Sequence, residues 1–328
     1  MNNGSLIVFA LAFLLTLCMT VMICRSVIPM LKRHAEQPIY EDGPVWHMSK
    51  SGTPTMGGIS FITAISITLL LGAILIYSSG DKLSSLSLII CTAYSLMNAS
   101  VGILDDITKL KHRKNAGLTP RAKLVFQFLI SSAFLLARYR LLGEGSAVSF
   151  SFGTFDKEIL YYPIALIILI GITNCANLTD GIDGLASSVS FAIGISLFYA
   201  YYGYSDTAGL IFISLAAGAL GFLVYNINPA RVFMGDTGSL FLGSLIAAAG
   251  FELGNPMIGV ISGGIFVIEG ISVIAQVAVY KACKKRLFKM APLHHHLEKS
   301  GWNESKICLI AIILTLLFSI PTVLICGK

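Results

Sequence analysis

The chain has 328 residues, of which 55% are hydrophobic and only 12% are charged, and its mean hydropathy is +0.80. This composition excludes an ordinary soluble globular protein, because charge-free runs of about 20 residues recur along the sequence. The formal net charge is +6. Seven cysteines occur without a CxxC or Cys/His ligand spacing, which argues against a disulfide framework and against a zinc site.

The apolar runs predict ten membrane-spanning helices within a single integral membrane domain, residues 1–328. The first run lacks a basic segment before it and a small-residue cleavage site, so we interpret it as a retained span rather than a signal peptide. The fourth and eighth runs have short charge-free cores, and we expect Arg138 and Arg140 to snorkel and extend the fourth helix. The predicted helices are 5–25, 56–78, 83–105, 122–142, 159–177, 185–203, 207–226, 237–252, 256–280 and 305–326.

Basic residues predict the orientation of these helices. The connections that follow odd-numbered helices, with the adjoining helix ends, hold 18 of the 23 lysines and arginines. Connections rich in lysine and arginine stay in the cytoplasm, so both chain termini are predicted to lie outside. This topology accounts for the net positive charge, and nucleic-acid binding is not needed to explain it.

One predicted outer connection, 145–158, is longer than the others. Val148, Phe150 and Phe152 alternate before Gly153, which predicts a small extracytoplasmic β-hairpin. The predicted fold class is therefore an all-α polytopic integral membrane protein with about ten transmembrane helices, both termini outside and one small hairpin.

Five aspartates lie in three short motifs, and the predicted topology brings all five to the cytoplasmic side. Carboxylates near hydrocarbon are costly, so each is a candidate functional residue. Asp105 and Asp106 are predicted to end the third helix, where the helix dipole disfavours negative charge. Pairing with Lys109, Lys111 or Lys114 is the plain structural explanation. The functional alternative is a pair that handles Mg²⁺ or phosphate.

The second motif is NLTDGIDGLA, residues 177–186, with Asp180 and Asp183 each followed by glycine. Glycine permits the positive φ angles that such turns need. Asp183 can simply cap the sixth helix. That explanation leaves Asn177 and Asp180 unexplained, and a glycine-rich loop with amide and carboxylate groups suits a nucleoside or Mg²⁺.

The third motif is FMGDTGSL, residues 233–240. Asp236 precedes the eighth helix, so a helix cap is again the plain explanation. The same connection also contains Asn226 and Phe233. Phe233 can stack on a base, Asn226 can hydrogen-bond a ligand and Asp236 can bind a metal ion.

Other polar features are also predicted on the cytoplasmic side. His294–His296 follow an Ala-Pro-Leu turn, and either form a solvated basic loop or face a diphosphate as ligands or acid–base groups. Lys50 before GTPTMGG fits a phosphate-contacting loop or an ordinary helix entry. Glu269 lies inside the ninth helix with Gln276 as its nearest same-face polar partner. We interpret Glu269 as a structural or kink-forming group rather than a catalytic one.

Together these motifs resemble the phospho-N-acetylmuramoyl-pentapeptide transferase (translocase I) family, in the family's order and sidedness. The resemblance covers residues ~29–306 and includes the ten-helix topology. The stretch EDGPVWHMSKSGTPTMGG and the histidine run favour this family over relatives that transfer other sugar phosphates. The motifs are TPTMGG (53–58), LDDxxK (104–109), NLTDGIDGLA (177–186), FMGDTGSL (233–240) and APLHHHLE (291–298).

The resemblance implies transfer of phospho-MurNAc-pentapeptide from its UDP carrier to undecaprenyl phosphate, with Mg²⁺, giving lipid I and UMP. It also implies a multi-pass protein of the bacterial cytoplasmic membrane, with the active site on the cytoplasmic face, and a homodimer. Phosphoryl transfer needs charge neutralisation and alignment more than covalent help from the protein, which agrees with the residues found.

Residue roles follow from the same resemblance. Asp236 is the preferred Mg²⁺ ligand, with Asp105 and Asp106 as further candidates, and Asp105 assists attack by the lipid phosphate. The implied catalytic residues are Asp105, Asp106, Asp236 and His294. The implied substrate-binding residues are Lys50, Thr55, Lys109, Lys123, Asn177, Asp180, Gly181, Asp183, Asn226, Phe233, His295 and His296.

Two alternatives remain open at this point. The nearer one is a sister transferase that uses UDP-GlcNAc or another UDP-amino sugar. The more distant one is a transporter with an ion site inside the membrane, which predicts mid-span carboxylates and an inverted repeat. Only Glu269 lies mid-span here, and no repeat is evident in the sequence.

Overall fold

The computed structural model describes residues 3–35, 50, 52–112, 117–156 and 158–326. Within these ranges the chain forms twelve α-helices and one pair of short strands. Part of the predicted EDGPVWHMSKSGTPTMGG motif, residues 41–49 and Ser51, lies outside the described residues, as does Lys114. The helices are α1 (Asn3–His34), α2 (Ile59–Ser78), α3 (Lys82–His112), α4 (Pro120–Ala137), α5 (Glu158–Thr179), α6 (Leu185–Tyr201), α7 (Asp206–Asn226), α8 (Gly235–Glu252), α9 (Met257–Ser262), α10 (Gly264–Cys283), α11 (Leu293–Glu298) and α12 (Glu304–Cys326).

Eight of the described helices are long and apolar enough to cross a membrane, namely α1, α2, α3, α4 with its extension, α5, α7, α10 and α12. This confirms a mostly helical, multi-pass membrane protein. The ten crossings and the outward orientation of both termini stay predictions. Helix α6 is apolar but has only 17 residues, and α8 carries polar residues in its first turn.

Helix α8 lies at the centre of the bundle, and all of its residues from Thr237 to Phe251 are buried. It packs antiparallel to α3, since Gly102 of α3 contacts the backbone of Asp236 at one end and Ser87 of α3 contacts Glu252 at the other. A helix shielded from lipid by protein does not need a strongly apolar surface, which explains how α8 accommodates glycine, serine and threonine. The outer helices, by contrast, expose leucine and isoleucine to the surroundings.

The predicted ninth helix is not continuous. It is broken into α9 and α10 at Gly263, six residues before Glu269, so Glu269 does not form the kink. A Cβ atom on Gly263 would lie 2.6 Å from the carbonyl oxygen of Gly259, and one on Gly264 would lie 2.9 Å from the ring of Phe318. Close backbone approach therefore selects glycine at the break.

The prediction that Arg138 snorkels is wrong. Helix α4 continues through a π-helical turn at Arg138–Leu142, and the Arg138 side chain is only 3% exposed. Its guanidinium donates to both carboxylate oxygens of Glu144 and to the carbonyl oxygen of Phe251, and Nη1 lies 3.4 Å from Glu252 Oε2. We call Arg138, Glu144 and Glu252 the arginine cluster.

The predicted strand pair is present. Strand β1 (Ala147–Phe150) pairs antiparallel with β2 (Gly153–Asp156), with Ala147 opposite Asp156 and Phe150 opposite Gly153. The backbone N–H of Ser151 donates to the carbonyl oxygen of Ile325, so the tip of the hairpin contacts the end of α12. Its location outside the cytoplasm stays a prediction.

Candidate active site

Three of the five aspartates meet at one end of the α3–α8 pair. One carboxylate oxygen from each of Asp105, Asp106 and Asp236 lies within 4.8 Å of the other two. Asp105 and Asp106 do not end the third helix as predicted, because α3 continues to His112. The additional helical residues place Lys109 one turn after Asp105, on the same face.

Two lysines neutralise most of this negative charge. Lys109 Nζ lies 2.7 Å from Asp105 Oδ2, 3.2 Å from Asp236 Oδ1 and 4.0 Å from Asp106 Oδ1. Lys123, from the first turn of α4, contacts Asp236 Oδ2 and lies 3.2 Å from Asp105 Oδ1. We call these three aspartates and two lysines the aspartate cluster. Its formal charge is −1 when all five groups are ionised, and both lysines and Asp236 remain partly exposed.

Asp106 lies at the N-terminus of α8, where the helix dipole favours a carboxylate. Its Oδ1 accepts from the backbone N–H of Asp236 at 3.2 Å, and its Oδ2 accepts from the backbone N–H and hydroxyl of Thr237 at 2.9 and 2.7 Å. Gly235 has φ +71°, and a Cβ there would lie 2.5 Å from Asp106 Oδ2. Asp106 therefore positions the backbone that carries Asp236.

Asp105 has the corresponding role at the entry to α4. Its Oδ1 accepts from the backbone N–H of Leu118 at 2.8 Å, and its carboxylate lies against Gly117, where a Cβ atom would approach within 2.6 Å. Its Oδ2 lies 2.7 Å from Lys109 Nζ, so both of its oxygens have a partner. Asp105 thus joins the start of α4 to the aspartate cluster.

The helix-cap explanations for Asp183 and Asp236 are both wrong. The residue before α6 is Gly184 and the residue before α8 is Met234, and neither helix has a side-chain cap. The Asp183 side chain instead accepts from Lys50 Nζ at 2.7 Å, from Asn228 Nδ2 at 3.1 Å and from the backbone N–H of Ala230 at 2.9 Å. Asp183 thereby joins Lys50, which precedes α2, to the connection between α7 and α8.

Asp180 lies in the α5–α6 loop, close enough to the aspartate cluster for the charges of Asp106 and Asp236 to act on its carboxyl group. Burial and the nearby carboxylates of Asp236, Asp106 and Asp183 raise the pKa of Asp180 well above its usual value. The amide of Asn177, at the end of α5, donates to Ser239 Oγ of α8 at 2.8 Å. The second motif is thus held against the third.

The TPTMGG loop pairs with the FMG segment through backbone hydrogen bonds. Phe233 N donates to Pro54 O and Gly57 N donates to Phe233 O, both at 2.8 Å, and Gly58 N donates to Met234 O at 3.1 Å. A Cβ on Gly235 would lie 2.8 Å from Thr55 Oγ1, so this hydroxyl points toward the start of α8. Phe233 is half-buried, and its role in base stacking stays a prediction.

Asn226 is buried, and both ends of its amide are engaged. Its Nδ2 donates to the carbonyl oxygen of Val232 at 3.0 Å, and its Oδ1 accepts from Ser187 Oγ at 3.1 Å. These bonds position the loop after α7. Direct contact between Asn226 and a ligand stays a prediction.

The histidine run forms the short helix α11. His294 is fully buried: its Nδ1 lies 3.2 Å from Glu269 Oε2, and its backbone N–H donates to the same carboxylate. A Cβ on Gly181 would lie 2.2 Å from His294 Nε2, so this ring packs directly against the second aspartate motif. Glu269 is therefore a structural link between α10 and α11, as predicted.

The other two histidines and Gln276 have separate partners. His295 Nδ1 lies 2.6 Å from Glu298 Oε2, and His296 Nδ1 accepts from the backbone N–H of Lys289 at 3.1 Å. Gln276 does not pair with Glu269. Its Oε1 accepts instead from the backbone N–H groups of Leu287 and Phe288.

Comparison with known proteins matches these motifs to one family. The model of glycosyl transferase family 4 matches residues 85–253, and signature 1 of phospho-N-acetylmuramoyl-pentapeptide-transferase matches residues 50–62. The transferase of that name from Clostridium botulinum (strain Eklund 17B / Type B) is 43% identical over 298 residues, 89% of each chain. The transferases of Clostridium acetobutylicum and Clostridium perfringens (strain SM101 / Type A) are each 40% identical, over 88% and 89% of this chain and 87% and 88% of their own.

The chain belongs to the phospho-N-acetylmuramoyl-pentapeptide-transferase family. The family resemblance inferred from the sequence motifs is thereby confirmed. All five residues of this family member's aspartate cluster lie within residues 85–253, and Lys50 and Asp183 also lie within the matched ranges.

The aspartate cluster of this transferase fits Mg²⁺. Hard carboxylate oxygens are the ligands that Mg²⁺ prefers, and one oxygen from each of the three aspartates lies within 4.8 Å of the other two. Asp236 is partly exposed and is bonded to two lysine side chains. Asp106 fits less well, because hydrogen bonds from α8 occupy both of its oxygens.

Three contributors to the site were missed at the sequence level. Thr237 and Ser239 lie inside the FMGDTGSL motif and bind Asp106 and Asn177, so the motif itself was the available signal. Glu304 contacts Lys50 and the backbone of Asp183, which lie more than 100 residues away in the chain. In the sequence, Glu304 is only an acidic residue at the start of the last predicted helix, so nothing nearby indicates its contact with Lys50 or Asp183.

Proposed function

We propose that this protein transfers phospho-MurNAc-pentapeptide from UDP-MurNAc-pentapeptide to undecaprenyl phosphate, giving lipid I and UMP. An oxygen of the lipid phosphate attacks the sugar-linked phosphorus of the donor. The bond from that phosphorus to the bridging oxygen breaks, and UMP leaves with both bonding electrons. The observation that carries the proposal is the meeting of three carboxylates and two ammonium groups at one end of the bundle.

Mg²⁺ is the proposed cofactor, with Asp236 as its proposed ligand. When bound, it neutralises diphosphate charge and stabilises the charge that develops during phosphoryl transfer. Asp106 orients Asp236 through the first turn of α8. Lys109 and Lys123, which contact carboxylates in this structure, supply positive charge to the substrate phosphates.

Asp105 is the group proposed to assist the attacking phosphate. Its carboxylate is buried and held in place by Leu118 N, and a carboxylate at this position is a suitable acceptor for the proton of the lipid phosphate. The donor nucleotide is proposed to bind beside it. Lys50, Asp180, Asp183 and Phe233 are proposed to line that site, with Thr55 and Asn177 on adjoining segments.

The imidazole of His294 is proposed to support the donor site rather than to reach the reacting atoms, since it packs between Gly181 and Glu269. His295 and His296 are proposed to contact the sugar–peptide part of the donor. The site is proposed to face the cytoplasm, where the soluble donor is found, and the acceptor approaches from the bilayer. A homodimer in the bacterial cytoplasmic membrane remains the expectation.

A donor competition tests this function. Purified full-length protein receives undecaprenyl phosphate, Mg²⁺ and either UDP-MurNAc-pentapeptide or UDP-GlcNAc, and UMP release is measured. We expect release with the first donor and at most a trace with the second. Preference for UDP-GlcNAc would establish the sister-transferase alternative instead, and release with neither donor would contradict both. Removing Mg²⁺ with a chelator should stop the reaction, and adding it back should restore the rate.

A further inference from the structure

A second charged group consists of Lys50, Asp183 and Glu304, so that two carboxylates share one ammonium group. Lys50 Nζ lies 2.7 Å from Asp183 Oδ1 and also 2.7 Å from Glu304 Oε1. Asp183 is already satisfied by Lys50, Asn228 and Ala230. Two carboxylates on one partly buried ammonium group repel each other. Charge balance with Lys50 therefore does not explain why a carboxylate lies at position 304.

The backbone of the Asp183 turn provides that reason. Glu304 Oε2 accepts from the backbone N–H of Asp183 at 2.7 Å. One turn later on the same face of α12, the thiol of Cys308 donates to the carbonyl oxygen of Asp183 at 3.3 Å. Helix α12 thus contacts both peptide groups of Asp183, and Glu304 adds the contact to Lys50.

The charge environment supports a strong interaction. Burial by itself lowers the pKa of Lys50, but the hydrogen bonds and charges of Asp183 and Glu304 outweigh it and raise that pKa. Glu304 is also the first residue of α12, where the helix dipole favours a carboxylate. Its side chain is only 12% exposed, so solvent screens the Lys50 contact incompletely.

We propose that Glu304 is a positioning residue for the donor site, which holds the Lys50 ammonium group beside the Asp183 turn. The inference rests on the proposed function, because Lys50, Asp180 and Asp183 belong to the proposed donor site. Glu304 contacts none of the aspartate cluster among the described residues. Its removal is therefore expected to weaken donor binding and to leave the chemical step nearly unchanged.

The variant Glu304→Gln tests this proposal, because glutamine keeps the shape and can still accept from Asp183 N but lacks the charge. With UDP-MurNAc-pentapeptide as the varied substrate, we expect KM to rise about tenfold, which corresponds to ~1.4 kcal/mol, while kcat stays within about twofold. Glu304→Asp restores the charge on a shorter side chain and should recover part of the KM. Asp206→Asn is the matched control, because Asp206 is likewise the acidic first residue of an apolar helix. The KM of this variant should equal that of the wild type.

A double-mutant cycle with Lys50→Met distinguishes positioning from general stability. If Glu304 acts through Lys50, the two effects on KM should be less than additive. An unchanged KM in Glu304→Gln, full additivity, or a parallel fall in kcat and melting temperature would each overturn the proposal. Absence of UMP release from the wild type would instead refute the proposed function, so the two failures are distinguishable.

Discussion

The aspartate cluster and the arginine cluster lie at opposite ends of the same helix pair, α3 and α8. Asp236 and Glu252 are sixteen positions apart in α8, which corresponds to about 24 Å at 1.5 Å per residue. Both clusters have a formal charge of −1 when all groups are ionised. They differ in what neutralises the carboxylates: two partly exposed lysines in the first and one buried arginine in the second.

The arginine cluster is closed. The planar guanidinium of Arg138 donates in fixed directions to Glu144, Ser87 and the last turn of α8, and the hydroxyls of Ser87 and Thr207 donate to Glu252. Such a fork loses several hydrogen bonds if one partner moves. The cluster fixes the end of α8 against α3.

The aspartate cluster is open in comparison. Lysine is a compact charge on a flexible chain, so Lys109 and Lys123 can leave one carboxylate for another or for a phosphate. Each of these two lysines already contacts more than one carboxylate. The comparison indicates that a planar, fixed cation suits a structural ion cluster, whereas flexible ammonium groups suit a site whose anionic partners are exchanged.

The largest expected effect comes from Asp236→Asn. It should reduce UMP release by at least about a thousandfold, equivalent to ~4 kcal/mol, because it removes the exposed carboxylate proposed to bind Mg²⁺. The melting temperature should change little, since Asp106 still accepts from the first turn of α8. Turnover that survives in this variant and still requires Mg²⁺ would contradict the metal assignment.

The next effect should be on stability rather than on activity. Arg138→Met leaves Glu252 buried without its cation, a change that typically costs about 3–5 kcal/mol. The melting temperature in detergent should therefore fall clearly, while turnover per folded molecule stays close to that of the wild type. The double variant Arg138→Met/Glu252→Gln should recover part of the loss. A loss of turnover larger than the loss of folded protein would show that the arginine cluster has a functional role.

The smallest effect is expected from Asp180→Asn. The raised pKa means that the folded chain keeps a proton on Asp180 that the unfolded chain releases, over the pH range from the ordinary pKa of 3.8 up to the folded pKa. Stability from this group is therefore present at low pH and lost as the pH rises through that window. The asparagine variant should be at least as stable as the wild type at pH 7 and less dependent on pH. Melting temperatures measured across this range decide the point, and a less stable variant at pH 7 would contradict it.

Much of the fold followed from the sequence, because a bilayer imposes a length and an apolar composition on each span. All ten predicted segments fall on described helices. The boundaries were less predictable. Helix α3 runs beyond Asp105 because Lys109 compensates its charge, and the break at Gly263 depends on contacts with Gly259 and Phe318. Contacts of this kind have no local signal in the sequence.

The sequence by itself determined the family, the membrane class and the five aspartates, since motif residues and apolar length are properties of short segments. Only the tertiary structure decided how those aspartates divide their roles. Asp106 accepts from α8, Asp183 joins Lys50 to the α7–α8 connection, and Asp105 joins the start of α4 to Lys109. The physical reason is that hydrogen-bond saturation depends on which helix ends meet in space, and Glu304 reaches Asp183 only because α12 returns to the same end of the bundle.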